Sequence, residues 1–355
     1  MNNKLTEEKV GRAEALVAQG EALILTCPEN IRYLCGFEYT DGYAIIMHDR
    51  SVVFADSRYI EAARAKIAQL LDRGLGTAEP ILRDGKVKRL FYEDIYMTCA
   101  ELERWKKQYP ACTFEPIRGS FDALREEKTP DEVALIESAQ RIAERAFDHI
   151  LEFISPERTE TEVALELDFF MRRSGADGIA FQTIAVSGSA SSLPHGVPRN
   201  IPLEHGFLTM DYGAEGGGYR SDMTRTVCIG RADEEMRTIY GTVLRAQLAA
   251  ESALHAGMLC SEADGIARKI IDDAGYGKCF GHSLGHGVGL FIHEAPNLSP
   301  HAVERRLHPG NIVTVEPGIY IEGRCGVRIE DMALIEESGA RILTSCPKEL
   351  IELCV

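Results

Sequence analysis

The chain has 355 residues, of which 45% are hydrophobic and 26% charged, the balance of an ordinary globular enzyme. Its length exceeds that of one typical domain, so we expect two domains. The formal net charge of −16 repels phosphate backbones and anionic membranes, and no cluster of Lys and Arg offsets it. The charge therefore argues against nucleic acid and membrane surfaces as partners.

The N-terminal stretch MNNKLTEEKVGRAEALVAQG contains no apolar signal core, and no run of about 18 or more apolar residues occurs elsewhere. We therefore expect a cytosolic protein. The ten cysteines are irregularly spaced and form no CxxC pair. This spacing favours reduced, mostly buried thiols over disulfides, a cysteine metal site or a cysteine nucleophile.

Helix and strand patterns alternate in the first part of the chain. A periodic segment from Thr6 to Gly20 predicts a helix, and ALILTC, YAIIMH and SVVFADS predict strands. We assign residues 1–125 to a small α/β domain. The following TPDE, which begins at Thr129, places an N-cap, a proline at the first helical position and a capping-box glutamate in register. A second domain, residues 130–355, is expected to start with that helix.

The second domain shows one pattern twice. Two predicted helices, the second from Thr159 to near Gly175, precede strand-like FLTMDYGA and YRSDMTRTVCIG. Helices over about 233–257 and 261–275 then precede strand-like NIVTVEPGIYI and GVRIEDMALI. Two helices followed by paired strands, repeated, predict an internally duplicated α+β domain.

Asp211 and Asp222 flank a glycine-rich turn, EGGG, between the first two of these strands. A two-residue turn at the first two glycines would place the two aspartates directly opposite each other, with Cβ atoms roughly 4.5–5.5 Å apart. Like charges at that distance destabilise a strand pair unless a positive group lies between them. A bound cation is the simplest remedy. The alternatives are solvated surface aspartates, or neutralisation by Arg220 or Arg225.

The segment GHSLGHGVGLFIHEAP holds His282, His286 and His293 among four glycines. Three histidines in so short a stretch indicate a functional site more strongly than one would. The segment is not an HExxH zinc-protease helix, because the glutamate between the first two histidines is missing. GHGVGL also lacks the final glycine of a dinucleotide-binding GxGxxG loop.

Glu316 and Glu330 each interrupt an apolar, strand-like run, and a buried carboxylate is costly unless it is paired or bound to a metal. Arg328 could pair with one of them, but that would explain one carboxylate and not four. Four carboxylates with a single imidazole form an oxygen-rich ligand set. Such a set suits manganese, cobalt or iron better than a metal that prefers thiolates.

These residues resemble the pita-bread metallopeptidases, the group that contains Xaa-Pro aminopeptidase, Xaa-Pro dipeptidase (prolidase), methionine aminopeptidase and creatinase. The resemblance covers roughly residues 130–355, and all five ligand positions of the family are filled. It implies a pita-bread catalytic domain with duplicated helices and a curved antiparallel sheet. The matching stretches are SSLPHGVP, LTMDYGA, YRSDMTRT, GHSLGHGVGLFIHEAP, TVEPGIYI and GVRIEDM.

The N-terminal part is similar to the creatinase-type domain of the same family, through NIRYLCGF and DSRY. Methionine aminopeptidases generally lack that domain, and creatinase-like members depart from the metal ligand set. The resemblance therefore implies a peptidase that cleaves Xaa-Pro bonds, either at the N-terminus of short peptides or in dipeptides. Proline-containing short peptides are the expected substrates, and a homodimer is the expected assembly.

The resemblance also implies a role for each site residue. Two divalent cations per subunit are expected, with manganese as the metal and cobalt, zinc or iron as alternatives. Asp211 would bind one cation, His286 and Glu316 the other, and Asp222 and Glu330 would bridge them.

Glu316 would further act in catalysis, by relaying a proton to the leaving nitrogen. His195 and His293 would be catalytic and substrate-binding residues that orient the substrate and donate hydrogen bonds to the tetrahedral intermediate. His282 and Arg328 would line the substrate site.

Two other functions stay open. One is hydrolysis of a non-peptide amide on the same scaffold, and the other is a catalytically inactive module that binds peptides. Loss of a bridging carboxylate would indicate the inactive module, and none is lost here. The motifs do not separate an aminopeptidase from a dipeptidase.

Overall fold

The computed structural model describes residues 3–37, 41–67, 70 and 76–354. The chain divides into two compact units, Met1–Arg125 and Glu126–Val355. Among the described residues, none of the helices combines the length and the apolar composition that a membrane span requires.

The first unit contains a five-stranded sheet with helices packed around it. The strand order is β3-β2-β1-β4-β5. Strand β2 is antiparallel to both of its neighbours, β1 and β3, whereas β1, β4 and β5 are parallel to one another. Buried Ile24, Ile45 and Leu90 lie in its core. The elements are α1 Asn3–Glu14, β1 Glu21–Leu25, α2 Pro28–Cys35, β2 Gly42–Met47, β3 Arg50–Ala55, α3 Ile60–Ile67, α4 Glu79–Asp84, β4 Arg89–Tyr92, α5 Cys99–Gln108 and β5 Thr113–Pro116.

The first helix is shorter than the sequence pattern predicts. It ends at Glu14, although the periodic segment continues to Gly20. The amides of Leu16 and Val17 bond to carbonyls three residues back, which tightens the chain into turns, and Gly20 has a positive φ of 84°. These turns redirect the chain into β1.

The second unit has two helices followed by strands, twice over, as the sequence predicts. The helices are α6 Pro130–Phe153, α7 Glu160–Arg173, α8 Glu234–Ala253 and α9 Cys260–Asp273. The strands are β6 Gly178–Ile179, β7 Ile184–Ser187, β8 Gly206–Tyr212, β9 Ala214–Gly216, β10 Tyr219–Arg220, β11 Met223–Ile229, β12 Gly285–Gly287, β13 Glu294–Leu298, β14 Ile312–Val315, β15 Gly318–Ile321, β16 Cys325–Arg328, β17 Asp331–Glu336, β18 Gly339–Ile342 and β19 Glu352–Leu353.

Each helix pair packs on its own sheet. Helices α6 and α7 share a core with the sheet β19-β11-β8-β7, in which Phe147, Leu167 and Leu208 are buried. Helices α8 and α9 share a core with β14 and β17 of the sheet β13-β12-β14-β17-β18, through residues such as Val243 and Val313. The two halves therefore bury their apolar faces in the same way.

The predicted capping box at the start of α6 is confirmed. The Thr129 side chain accepts a hydrogen bond from the Glu132 amide, the Glu132 carboxylate accepts one from the Thr129 amide, and Pro130 stands at the first helical position. A second predicted capping box, of Thr159 and Glu162, starts α7. Local sequence chemistry therefore fixes where both helices begin.

The hairpin turn between β9 and β10 lies one residue later than predicted. Its central residues are Gly217 and Gly218, whose φ angles of 59° and 85° are both positive, as a type I′ turn requires. In this register Asp211 pairs with Thr224. The prediction that Asp211 lies directly opposite Asp222 is therefore wrong. Asp211 and Asp222 are instead diagonal neighbours across the hairpin. Asp222 lies two residues from Thr224, the partner of Asp211, and therefore on the same face of the hairpin.

The second hairpin shows the direct opposition that was predicted for the first. Strands β14 and β17 pair in one sheet and β15 and β16 in another, with Val315 opposite Asp331 and Gly318 opposite Arg328. Glu316 and Glu330 stand in the two breaks between these strands. The shared register places these two carboxylates opposite each other, where the hairpin passes from one sheet to the next.

The capping box predicts a measurable stability difference. We expect Thr129→Ala to lower the free energy of unfolding by about 1 kcal/mol, because the Glu132 amide loses its acceptor. Thr129→Ser keeps the hydroxyl and should stay within a few tenths of a kcal/mol of the parent chain. Urea unfolding followed by circular dichroism measures both, and equal midpoints for the two variants would contradict the prediction.

Candidate metal centre

Four of the five predicted ligands meet at one point of the second unit. Donor atoms of Asp222, His286 and Glu330 all lie within 4.8 Å of one another. His286 Nε2 is also 3.3 Å from Glu316 Oε1, and 3.6 Å from Asp222 Oδ2. Strand breaks carry three of these residues, and β12 carries the histidine.

Asp211, the fifth predicted ligand, lies beside them and has one oxygen to spare. Its Oδ2 accepts a hydrogen bond from Arg328 Nη2 at 2.5 Å. Its Oδ1 is buried and accepts no hydrogen bond from any residue that the structure describes. A buried acceptor without a donor is costly, so this oxygen fits a bound cation.

The ion pairs of the arginines differ from those that the sequence left open. Arg225 pairs with buried Asp331 at 2.7 Å, and so does not neutralise the aspartates of the hairpin. Arg328 pairs with Asp211, and not with Glu316 or Glu330. Among the described residues, Arg328 is therefore the one arginine, Arg220 included, that forms an ion pair with a carboxylate of the cluster.

The electrostatics of the cluster are those of crowded anions. Burial, and after it the charges of Glu330 and Asp211, raise the pKa of Asp222 well above its usual range. Burial and the charges of Glu316 and Asp211 raise the pKa of Glu330 in the same way. Burial acts to raise the pKa of Glu316 too, but its contact with His286 outweighs this and lowers that pKa to about 2. A divalent cation would relieve this repulsion.

The imidazole of His286 is oriented for metal binding. Its Nδ1 lies 3.1 Å from the Gly287 carbonyl oxygen and can donate a hydrogen bond to it. That bond leaves Nε2 facing the carboxylates, where it would offer its lone pair to a bound cation. One imidazole and four carboxylates, one with a spare buried oxygen, form a donor set that fits hard divalent cations.

Two threonines support the carboxylates, and sequence reasoning missed them. Thr224 Oγ1 donates to Glu330 Oε2 at 2.6 Å, and Thr314 Oγ1 donates to Glu316 Oε1 at 3.0 Å. Each threonine lies two residues from a predicted ligand, on a strand face shared with it. The alternation of side chains along a strand could have identified both.

The glycines around His286 allow close backbone packing. A Cβ on Gly285 would lie 1.9 Å from the Thr314 carbonyl oxygen, and one on Gly287 would lie 2.4 Å from that of Ala295. Both distances are shorter than any real contact. The glycines of this segment therefore let β12 lie against its neighbours, which brings the histidine to the carboxylates.

A cavity of about 660 Å³ opens onto the cluster. Its wall contains every side chain that the sequence singled out, namely His195, Asp211, Asp222, His282, His286, His293, Glu316, Arg328 and Glu330. The rings of His286 and His293 lie 4.3 Å apart in a T-shaped arrangement. His195 is exposed on the loop that follows the 3₁₀ turn Gly188–Ser192.

Tyr320 connects two of the predicted wall residues, and nothing in the sequence pattern distinguished it. Its hydroxyl accepts a hydrogen bond from Arg328 Nη1 at 2.8 Å and lies 3.0 Å from His282 Nε2. His282 Nδ1 lies 2.8 Å from the Ser283 carbonyl oxygen, so Nε2 is the acceptor for the tyrosine hydroxyl. The chain of contacts runs from Asp211 through Arg328 and Tyr320 to His282.

Comparison with protein families agrees with both units. The model of metallopeptidase family M24 matches residues 134–337. The model of the creatinase/prolidase N-terminal domain matches residues 12–127. The two-domain pita-bread architecture expected from the sequence is thereby confirmed.

Individual proteins are similar over almost the whole chain. An Xaa-Pro dipeptidase of Pyrococcus furiosus is 37% identical over 335 residues, which are 93% of this chain and 95% of the relative. The structure of an Xaa-Pro dipeptidase from Bacillus anthracis is 39% identical, with a TM-score of 0.92 over 98% of this chain and 99% of the other. That of an X-Pro aminopeptidase from Thermotoga maritima MSB8 is 32% identical, with a TM-score of 0.90 over 96% and 99%. The chain therefore belongs to metallopeptidase family M24.

Proposed function

We propose that this protein is a dinuclear metal-dependent peptidase that hydrolyses the Xaa-Pro bond of short peptides. The observation that carries the proposal is the convergence of four carboxylates and His286 at one cavity. Relatives named Xaa-Pro dipeptidase and X-Pro aminopeptidase support the substrate class. Proline-containing short peptides are the proposed substrates.

The proposed ligand assignment follows the resemblance. Asp211 would bind one divalent cation through its spare oxygen, and His286 and Glu316 would bind the other. Asp222 and Glu330 would bridge the two. When bound, the cation pair would supply an acidified water nucleophile and positive charge for the developing oxyanion.

The remaining chemistry belongs to the side chains of the chain itself. Glu316 lines the cavity, where its carboxylate can take part in proton transfer. Glu316 would accept the proton of the attacking water and deliver it to the leaving nitrogen. The leaving nitrogen must gain a proton as the C–N bond breaks, as in the hydrolysis of any amide.

The histidines would bind and orient the substrate. Burial lowers the pKa of His293, and its neutral ring keeps one N–H that can donate to the substrate. His195, on the opposite loop, would donate a second hydrogen bond to the tetrahedral intermediate. Arg328 would position Asp211, because its guanidinium contacts Asp211, Thr224 and Tyr320.

The cavity wall also supports a substrate with an apolar ring. Phe181, Val197 and Ile292 line it near the histidines. These side chains offer shape and apolar surface, which a tertiary amide without an N–H requires for selection. Manganese as the metal, the homodimer and the cytosolic location stay predictions.

Substrate length is the first property to measure. We expect the metal-stripped protein to cleave neither Ala-Pro nor Ala-Pro-Ala, and added Mn²⁺ to restore cleavage, read by mass spectrometry. Cleavage of the dipeptide alone indicates a dipeptidase, whereas release of alanine from the tripeptide indicates an aminopeptidase. Ala-Ala-Ala is the matched control for proline. If no divalent metal restores cleavage of either proline peptide, the proposed activity is wrong.

Removal of one bridging carboxylate should separate chemistry from folding. We expect Asp222→Asn to lower kcat/KM by at least about 100-fold. The metal-free variant should be at least as stable as the parent, because one of several crowded buried anions is removed. Peptide hydrolysis, Mn²⁺ calorimetry and thermal unfolding measure three quantities: turnover, metal affinity and stability.

The control for this variant is Asp273→Asn, which removes an exposed carboxylate paired with Lys269. It should change none of the three quantities appreciably. Near-native turnover of Asp222→Asn would refute the bridging role.

A further inference from the structure

The loop that carries His195 is anchored on one buried carboxylate. Glu160, the first residue of α7, is fully buried. It accepts hydrogen bonds from the Ser187 amide at 2.6 Å and hydroxyl at 2.8 Å. It also accepts three from Arg199, from the amide at 2.9 Å, Nε at 2.8 Å and Nη2 at 2.6 Å. Five donors therefore converge on a single carboxylate.

These contacts bracket one wall of the cavity. Ser187 ends β7, and Arg199 lies four residues after His195. The residues between them that line the cavity are 194–198. Backbone bonds add to the anchor, since the amides of Glu160 and Thr161 bond to the carbonyls of residues 201 and 199. The ends of the wall segment are therefore held on the start of α7.

The contact between Glu160 and Arg199 is an ion pair with a defined geometry. Burial acts to raise the pKa of Glu160, but the hydrogen bonds from Arg199 and Ser187 outweigh it and lower that pKa, so the carboxylate stays ionised. Arg199 meets it with two guanidinium nitrogens, the bidentate arrangement that fixes geometry best. Arg199 also contacts Glu204 at 2.8 Å, beyond the wall segment.

Two side-chain contacts reach the wall segment itself: Arg328 Nη1 donates to the Pro194 carbonyl at 3.1 Å, and Thr161 Oγ1 donates to the Pro198 carbonyl at 3.4 Å. The internal backbone bond of the segment runs from the Gly196 amide to the Leu193 carbonyl, and Val197 is 77% exposed. Gly196 lies so close to Val186 of β7 that a Cβ would meet its side chain at 2.9 Å. A small shift of the loop would therefore move His195 relative to the carboxylates.

We infer that Glu160 and Arg199 are positioning residues, whose ion pair sets the placement of His195 at the cavity. The inference rests on the proposed function, in which His195 contacts the substrate. Neither residue lies in the carboxylate cluster. Their loss should therefore impair turnover without changing the affinity for metal.

The test compares Glu160→Gln and Arg199→Lys with Glu166→Gln. Glu166 lies on the same helix, where it contacts His149 and Arg173 at the surface. Misplacement of a catalytic group by about 1 Å can cost up to about 100-fold. We expect Glu160→Gln to lower kcat about 10–100-fold with Mn²⁺ affinity unchanged. Arg199→Lys keeps the charge but loses the bidentate contact. Its kcat should therefore lie between those of Glu160→Gln and the control.

A second readout does not require activity. In ¹³C-histidine-labelled protein, the His195 ring signal, assigned with His195→Gln, should shift in both variants, while the signal of His308, which lies outside the cavity wall, stays. The Arg199→Lys variant decides the outcome if Glu160→Gln does not fold.

Folded variants with native kcat and an unmoved His195 signal would overturn the inference, even if their melting temperature falls, because that pattern is purely structural. If the parent chain cleaves neither proline peptide, the proposed function fails and the His195 signal alone decides the positioning role.

Discussion

The structure is organised around the mutual repulsion of four carboxylates in one buried place. Of these four, Asp211 pairs with Arg328, and burial raises the pKa of Asp222 and Glu330 well above the usual range. A protein does not gather such charges for stability, because each would be more favourable in water. Two threonines hydrogen-bond to these carboxylates, and Arg328 pairs with one of them.

Local features of the strands bring the ligand side chains together and hold them in place. Glycines without a Cβ let β12 approach its neighbours and deliver His286. Strand breaks turn Glu316 and Glu330 towards each other. Threonines two residues from the ligands share their strand faces and hydrogen-bond to them. Strands and the breaks between them carry the cluster, whereas a loop anchored on Glu160 carries His195. Arg328 links the two parts, because it contacts both Asp211 and the Pro194 carbonyl.

Much of this could be predicted from the sequence. The capping boxes placed the starts of α6 and α7, because cap chemistry is local, and the apolar interruptions at Glu316 and Glu330 identified buried carboxylates. Asp211 was paired wrongly, because the turn was centred one glycine too early, and a run of three glycines does not reveal which two adopt positive φ. Tyr320 and Arg199 could not be found, because their partners are distant in sequence and depend on tertiary packing.

The two hairpins that supply the carboxylates belong to different halves of the duplicated domain, and about a hundred residues separate Asp222 from Glu330. A cation bound between them would act as a cross-link that closes a long loop of the chain. Such a link forms readily only in the folded chain, because the unfolded chain would first have to close that long loop. It also makes stability depend on metal concentration, since only the folded chain brings both halves to the cation. Metal supply would then act on the lifetime of the folded chain as well as on its turnover.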